Sequence, residues 1–243
     1  MKINPSDFLE TSVWKTIKAA CKYAVDHHEP VLVYGATQIG KTTALEEYVR
    51  RAEAGTVVYT RMPAAPSLSM FVRRLALDCG KPATGAAARD NILARFAGGD
   101  TLLIVDEVHS AFIAGRRNIG ALIVEYIREI YDRTGIGVVF SGTKLMFDEF
   151  NINEILNQTI CRGFLKKSLP NVLPKKDIAL FAAAFGLAEP DPESAAIIDR
   201  VIRNNGIGQI RSILRAASNR AANIKEPLEW KHFKNAYDIV TNQ

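Results

Sequence analysis

Cysteine is scarce in this sequence. Cys21, Cys79 and Cys161 are the only three in 243 residues, they lie far apart, and none sits in a CxxC or Cys/His ligand spacing. That excludes a disulfide framework and a zinc site, and leaves three reduced, mostly packed thiols as the expectation. Long apolar runs are missing too. No window reaches the roughly 18 uninterrupted apolar residues of a bilayer span, and Met1 to Glu10 lacks the basic start and apolar stretch of a secretion signal. A cytoplasmic protein with no membrane partner is therefore expected. Charge of one sign is in small surplus only, since 31 Lys and Arg against 26 Asp and Glu leave +5 and a pI of about 9.1. The surplus is uneven, with 18 basic and 17 acidic side chains in residues 1–150 but 13 and 9 in residues 151–243. An anionic partner is permitted by this balance and not demanded by it. No internal repeat or low-complexity tract breaks the chain.

What is present suits a folded protein: 48% hydrophobic residues, 23% charged, 16 Gly and 10 Pro. The length fits one large domain, or a core with a smaller appendage. Five short runs rich in β-branched or aromatic residues read as buried strands: Val31 to Tyr34, Thr56 to Thr60, Thr101 to Val105, Ile136 to Ser141 and Phe164 to Leu169. Longer amphipathic stretches alternate with them over Thr11 to His27, Lys41 to Ala54, Ser67 to Gly80, Ala86 to Phe96, Ile119 to Arg133 and Lys144 to Leu156. Alternation of this kind predicts an α/β fold around a parallel sheet. After Pro170 the strands stop. Pro174 to Phe185, Glu193 to Asn204, Gln209 to Ala222 and Trp230 to Val240 read as helices, with Asp191-Pro192-Glu193 as a helix start and the NNGIG stretch from Asn204 to Gly208 as a stop and restart. The expected division is an α/β core over residues 1–170 and a helical lid over 171–243.

Two motifs carry chemistry. Gly35-Ala36-Thr37-Gln38-Ile39-Gly40-Lys41-Thr42, followed by Thr43, fits GxxxxGK[ST] and lies between a strand and a helix. Backbone N–H groups of such a loop converge on phosphates, the helix N-terminus adds its dipole, Lys41 reaches the β and γ phosphates, and the Thr42 hydroxyl can ligate Mg²⁺. Gln38 and Ile39 replace the small residues often found there and leave both framing glycines intact. The second motif is Thr101-Leu102-Leu103-Ile104-Val105-Asp106-Glu107, a buried strand ending in two carboxylates. Asp106 suits Mg²⁺. Glu107 suits the water that attacks the γ phosphate, because hydrolysis at phosphorus is chiefly positioning and charge neutralisation.

With these motifs the chain resembles the AAA+ ATPases over nearly its whole length, from the Thr11 helix to Val240. The resemblance implies a P-loop three-layer αβα sandwich with a five-stranded parallel sheet and a small helical C-terminal lid, working with ATP and Mg²⁺. It also implies three further site residues. Gly142-Thr143 after the Ile136 strand looks like sensor 1, with Thr143 as the residue and Ser141 in reserve. Arg162, in Thr159-Ile160-Cys161-Arg162-Gly163-Phe164, resembles an arginine finger acting on a neighbouring subunit, and Arg211, in Gly208-Gln209-Ile210-Arg211, resembles sensor 2. Within the superfamily the chain looks most like the transposition ATPases that select target DNA. Asp106-Glu107-Val108-His109 is similar to that branch's DEAxH stretch, Gly135 to Thr143 to its sensor strand, and no aromatic pore-loop signature of the remodelling branches is found. That likeness implies a homo-oligomer, a ring or helical filament, on double-stranded DNA, which delivers the DNA to a transposase and disassembles on hydrolysis. Only about 30 residues precede the first strand, so DNA contacts are expected from the ATPase ring itself.

Candidate DNA contacts are Arg73, Arg74, Lys81 and the pair Arg116 and Arg117, since non-specific duplex binding needs cations aimed at phosphates and repetition of a modest site along a filament. Other readings stay open: a helicase loader or replication initiator, or a nucleotide switch that oligomerises without DNA. His109 reads as local structure beside Glu107. His27-His28 form no metal site, and Trp14 and Trp230 read as packing residues.

Overall fold

Runs that are apolar at every position need cover on both faces, which a parallel sheet between helices supplies. The computed structural model describes residues 8–113, 117–153, 156–157, 164–170 and 172–241. Among them the five expected runs form β1 (Pro30–Tyr34), β2 (Val57–Arg61), β3 (Leu102–Asp106), β4 (Gly137–Gly142) and β5 (Leu165–Ser168). All pair in parallel, in the order β2-β3-β4-β1-β5. The interior strands β3 and β4 are buried at every position. By contrast β5, LKKS, alternates half-buried and exposed residues and lies at an edge, where its lysines blunt further strand pairing.

Helix α1 (Ser12–His27) precedes β1, and α2 (Lys41–Arg51), α3 (Leu68–Asp78), α4 (Gly85–Phe96), α5 (Arg117–Thr134) and α6 (Lys144–Ile152) come after it, with a 3₁₀ turn at Val108–Ala111. Side-chain alternation sorts the two faces of the sheet. Leu32, Leu103, Val105, Val138 and Phe140 join Phe71, Leu75, Ile92, Phe96, Ile127 and Phe150 from α3–α6 in one buried cluster. Their neighbours Val31, Val33, Ile104 and Val139 are equally buried and point to the other face. Asp106 and Ser141 share that second face. Close passage of α1 fixes one glycine, because a Cβ on Gly137 would come within 2.3 Å of the Ala24 carbonyl oxygen.

The remaining helices are α7 (Lys175–Ala184), α8 (Pro192–Asn205), α9 (Ile207–Asn223) and α10 (Trp230–Thr241). Their core holds Ile178, Phe181, Ile198, Ile202, Ile213, Leu214 and Phe233. The expected start of α8 is present, with the Asp191 carboxylate accepting from the Glu193 and Ser194 N–H groups at 3.1 and 3.0 Å and Pro192 in the first turn. Contacts divide the chain into two compact units. One comprises Thr16–Gly35 and Lys41–Leu169; the other comprises the described residues up to Lys15, Ala36–Gly40 and the described residues from Pro170 on. Inside the second unit, the buried Asp177 carboxylate of α7 caps α1 by accepting the Ser12 N–H at 2.9 Å and the Ser12 hydroxyl. Trp14 is buried, and the half-buried Trp230 donates from Nε1 to the Ala188 carbonyl at 3.2 Å. Cys21 and Cys79 are buried and unbridged, and Cys161 lies outside the described residues. Among the described residues no helix is long and apolar enough to cross a membrane.

Candidate functional site

Carboxyl ends of parallel strands face the crevice where such folds take ligands, and here β1, β3 and β4 end at Tyr34, Asp106 and Gly142. The loop from β1 to α2 is bent by local rules. Gly35 donates its N–H to the Gly142 carbonyl at 3.3 Å, and a Cβ on it would lie 2.8 Å from Leu169 Cβ. Gly40 has φ +96, a conformation that side chains rarely adopt. Gln38 stands in the left-handed region at φ 58 without being glycine, at a cost of about 1 kcal/mol. Thr37 and Gln38 are exposed, Ile39 is buried, and Ala36 is half-buried.

Lys41 and Thr42 open α2, and the exposed Thr43 follows. Lys41 is 5% exposed, and its ammonium folds back onto its own loop, donating to the Gly35 carbonyl at 3.0 Å. Burial pushes its pKa down, while the Asp106 and Glu107 carboxylates pull it up. The Thr42 hydroxyl donates to Asp106 Oδ2 at 2.7 Å, and the Tyr59 hydroxyl donates to the same oxygen at 3.2 Å. Burial first, then the Asp106 charge, raises the Tyr59 phenol well above its ordinary range, so it stays a donor. Asp106 is fully buried, and its Oδ1 has no hydrogen-bond partner.

An orphaned carboxylate oxygen beside a hydroxyl is a hard-oxygen donor pair of the kind Mg²⁺ accepts. Among the described residues no group of three or more His, Cys, Asp or Glu side chains could cage an ion.

Glu107 also has left-handed backbone, φ 58, where the strand gives way to the 3₁₀ turn. Its carboxylate lies 3.6 Å from His109 Nε2. Burial pushes the His109 pKa below its usual value, against the pull of Glu107, and its buried Nδ1 has no partner. Ser141, one position beyond the Val105–Phe140 pair, is fully buried with its Oγ unpartnered. Thr143 comes after the strand, half-buried at the start of α6, with no capping bond from its side chain.

Arg211 is half-buried in the second turn of α9. Arg73, Arg74 and Lys81 are exposed on and after α3, with Arg74 paired to Asp78 at 2.9 Å. Arg117 opens α5. Arg116 and Arg162 lie outside the described residues. Sequence reasoning missed Tyr59, whose signal was a polar-tipped aromatic in a strand pairing with β3. It also missed the left-handed geometry of Gln38 and Glu107, which residue type alone does not announce.

The AAA domain family matches residues 25–149. The chain is 26% identical over 208 residues to the Mu-like prophage FluMu DNA transposition protein B of Haemophilus influenzae, covering 82% of this chain and 68% of that protein. It is 27% identical over 189 residues to the ATP-dependent target DNA activator B of Escherichia phage Mu, covering 74% of this chain and 57% of that protein. The matched segment is thus little more than half of the phage Mu protein. Domain III of the Thermotoga maritima replication initiation protein DnaA superposes with a TM-score of 0.59 at 14% identity, covering 96% of this chain and 94% of that one. The Walker-type ATPase paby2304 of Pyrococcus abyssi gives 0.61 at 11% identity, over 99% and 74%. At such identities the two structures speak for the fold alone.

Proposed function

The chain belongs to the AAA domain family, and from that premise we propose that it is an ATP-dependent ATPase that assembles on duplex DNA with little sequence preference and delivers it to a transposase. The observation that carries the chemistry is the Thr42–Asp106 contact of 2.7 Å with Glu107 next in the chain. It supports a divided labour. The loop from Gly35 to Thr43 binds the triphosphate, Lys41 neutralises the β and γ phosphates, and Thr42 with Asp106 holds Mg²⁺. The cation supplies charge neutralisation on the phosphate oxygens. Glu107 orients a water for in-line attack at the γ phosphorus and accepts its proton. Thr143, with Ser141 in reserve, senses the γ phosphate. Arg162 acts from a neighbouring subunit, Arg211 acts from the helical lid, and Arg73, Arg74, Lys81, Arg116 and Arg117 meet DNA phosphates.

The transposition reading is supported by the named relatives, one a DNA transposition protein and one a target DNA activator. Electron microscopy of the protein with ATP, Mg²⁺ and random-sequence duplex tests it. Regular filaments that vanish with ADP are expected. DNA-bound assemblies that recruit a helicase would favour a loader, and a DNA-indifferent monomer would end the proposal.

A further inference from the structure

The segment Ala36–Gly40 packs within the unit that contains α8 and α9, not within the unit that contains the sheet. Its anchor is specific. The Gln38 carbonyl accepts the Ile207 N–H at 3.2 Å, at the first residue of α9. The preceding residue, Gly206, has φ 75 and ψ 179, a region open to little but glycine. A Cβ on Gly206 would lie 2.4 Å from Gln38 Cβ and 2.9 Å from the Gln38 oxygen. So Gly206 is required twice, once for its own backbone and once for the backbone opposite. Gln38 in turn is the loop's non-glycine left-handed residue, a conformation that persists only where surroundings over-determine it.

We propose that Gly206 and the Ile207 amide form a latch that holds the phosphate loop in its binding shape through the Gln38 carbonyl. Gly206 and Ile207 are then positioning residues for triphosphate, outside the GxxxxGK[ST] motif. Arg211 stands one turn beyond Ile207 on the same helix, so the latch ties that arginine to the loop as well. The inference rests on the reading of Gly35 to Thr43 as the nucleotide-binding segment.

Titration of the full chain with a fluorescent ATP analogue tests it, with circular dichroism to confirm folding. Ile207→Pro removes the amide hydrogen at a helix position that tolerates proline, whereas Ile207→Ala keeps the amide and removes the side chain. The expected result is affinity about five-fold weaker in the proline variant than in the alanine variant, the worth of one hydrogen bond. Gly206→Ala should weaken binding more, and adding Gln38→Gly, which removes the opposing Cβ, should recover part of the loss. Equal affinities for the two Ile207 variants, or no recovery in the double variant, would overturn the latch. Failure of the unaltered chain to bind the analogue would instead strike the nucleotide-site reading.

Discussion

Thr42 and Asp106 are 64 positions apart in sequence, and the hydroxyl of one donates to the carboxylate of the other across 2.7 Å. Two motifs that local pattern could only set in order are thereby joined into one site, with a spare carboxylate oxygen beside them.

Lys41→Ala removes a buried cation and its bond to the Gly35 carbonyl. Charge-assisted bonds to phosphate are worth about 2 kcal/mol each. Binding of a fluorescent ATP analogue should fall by about 30-fold or more in equilibrium titration. Affinity close to that of the parent chain would remove Lys41 from the site.

Glu107→Gln keeps size and hydrogen bonding while removing the acceptor for a proton. ATP hydrolysis should drop by about 100-fold or more, with nucleotide binding retained and assemblies persisting, as seen in a phosphate-release assay beside sedimentation. A variant that hydrolyses normally would transfer the water-orienting role elsewhere.

Acidification acts through His109. Burial holds its pKa below the ordinary value of 6.5, so the folded chain binds this proton less readily than the unfolded one. Above that value both states are neutral and the residue contributes no pH dependence. As pH falls through about 6.5, the unfolded state gains the proton first, and stability declines until the folded imidazole titrates as well. Once charged, the ring pairs with Glu107 at 3.6 Å, and hydrolysis should fall with it. His109→Gln should flatten the acid limb of both profiles, and superimposable profiles would exclude this residue as the cause.

Asp177→Ala leaves the first turn of α1 without its cap and exposes a buried void. A loss of about 2 kcal/mol is expected. Both tryptophans, Trp14 and Trp230, fall in the unit that contains Asp177. Their fluorescence during urea unfolding therefore reads this change directly, and an unmoved midpoint would contradict the capping role.

Much of the fold is legible in the sequence. The strand runs and the helical stretches recur within a few residues of their expected bounds, because an apolar run between Pro, Gly or charge has few other solutions. Even β5, LKKS, the least apolar strand, falls inside the expected run Phe164 to Leu169. The phosphate-loop motif and the Asp106-Glu107 pair were legible for the same reason, since both are local. Sheet order was not. The approach of Tyr59 to Asp106 depends on β2 lying beside β3, and the cap from Asp177 to Ser12 spans 165 positions. Long-range pairings are set by packing of whole elements and leave no mark in a window of a dozen residues.

The reach of Asp177 back to Ser12 has a practical sequel for anyone dissecting the molecule with a stop codon. Cutting at Pro170 would discard the distal helices and, with them, the clasp on the opening turn of the N-terminal helix. Such a fragment would start with a loose end of its own making, and its behaviour would report that injury as much as the properties of the sheet.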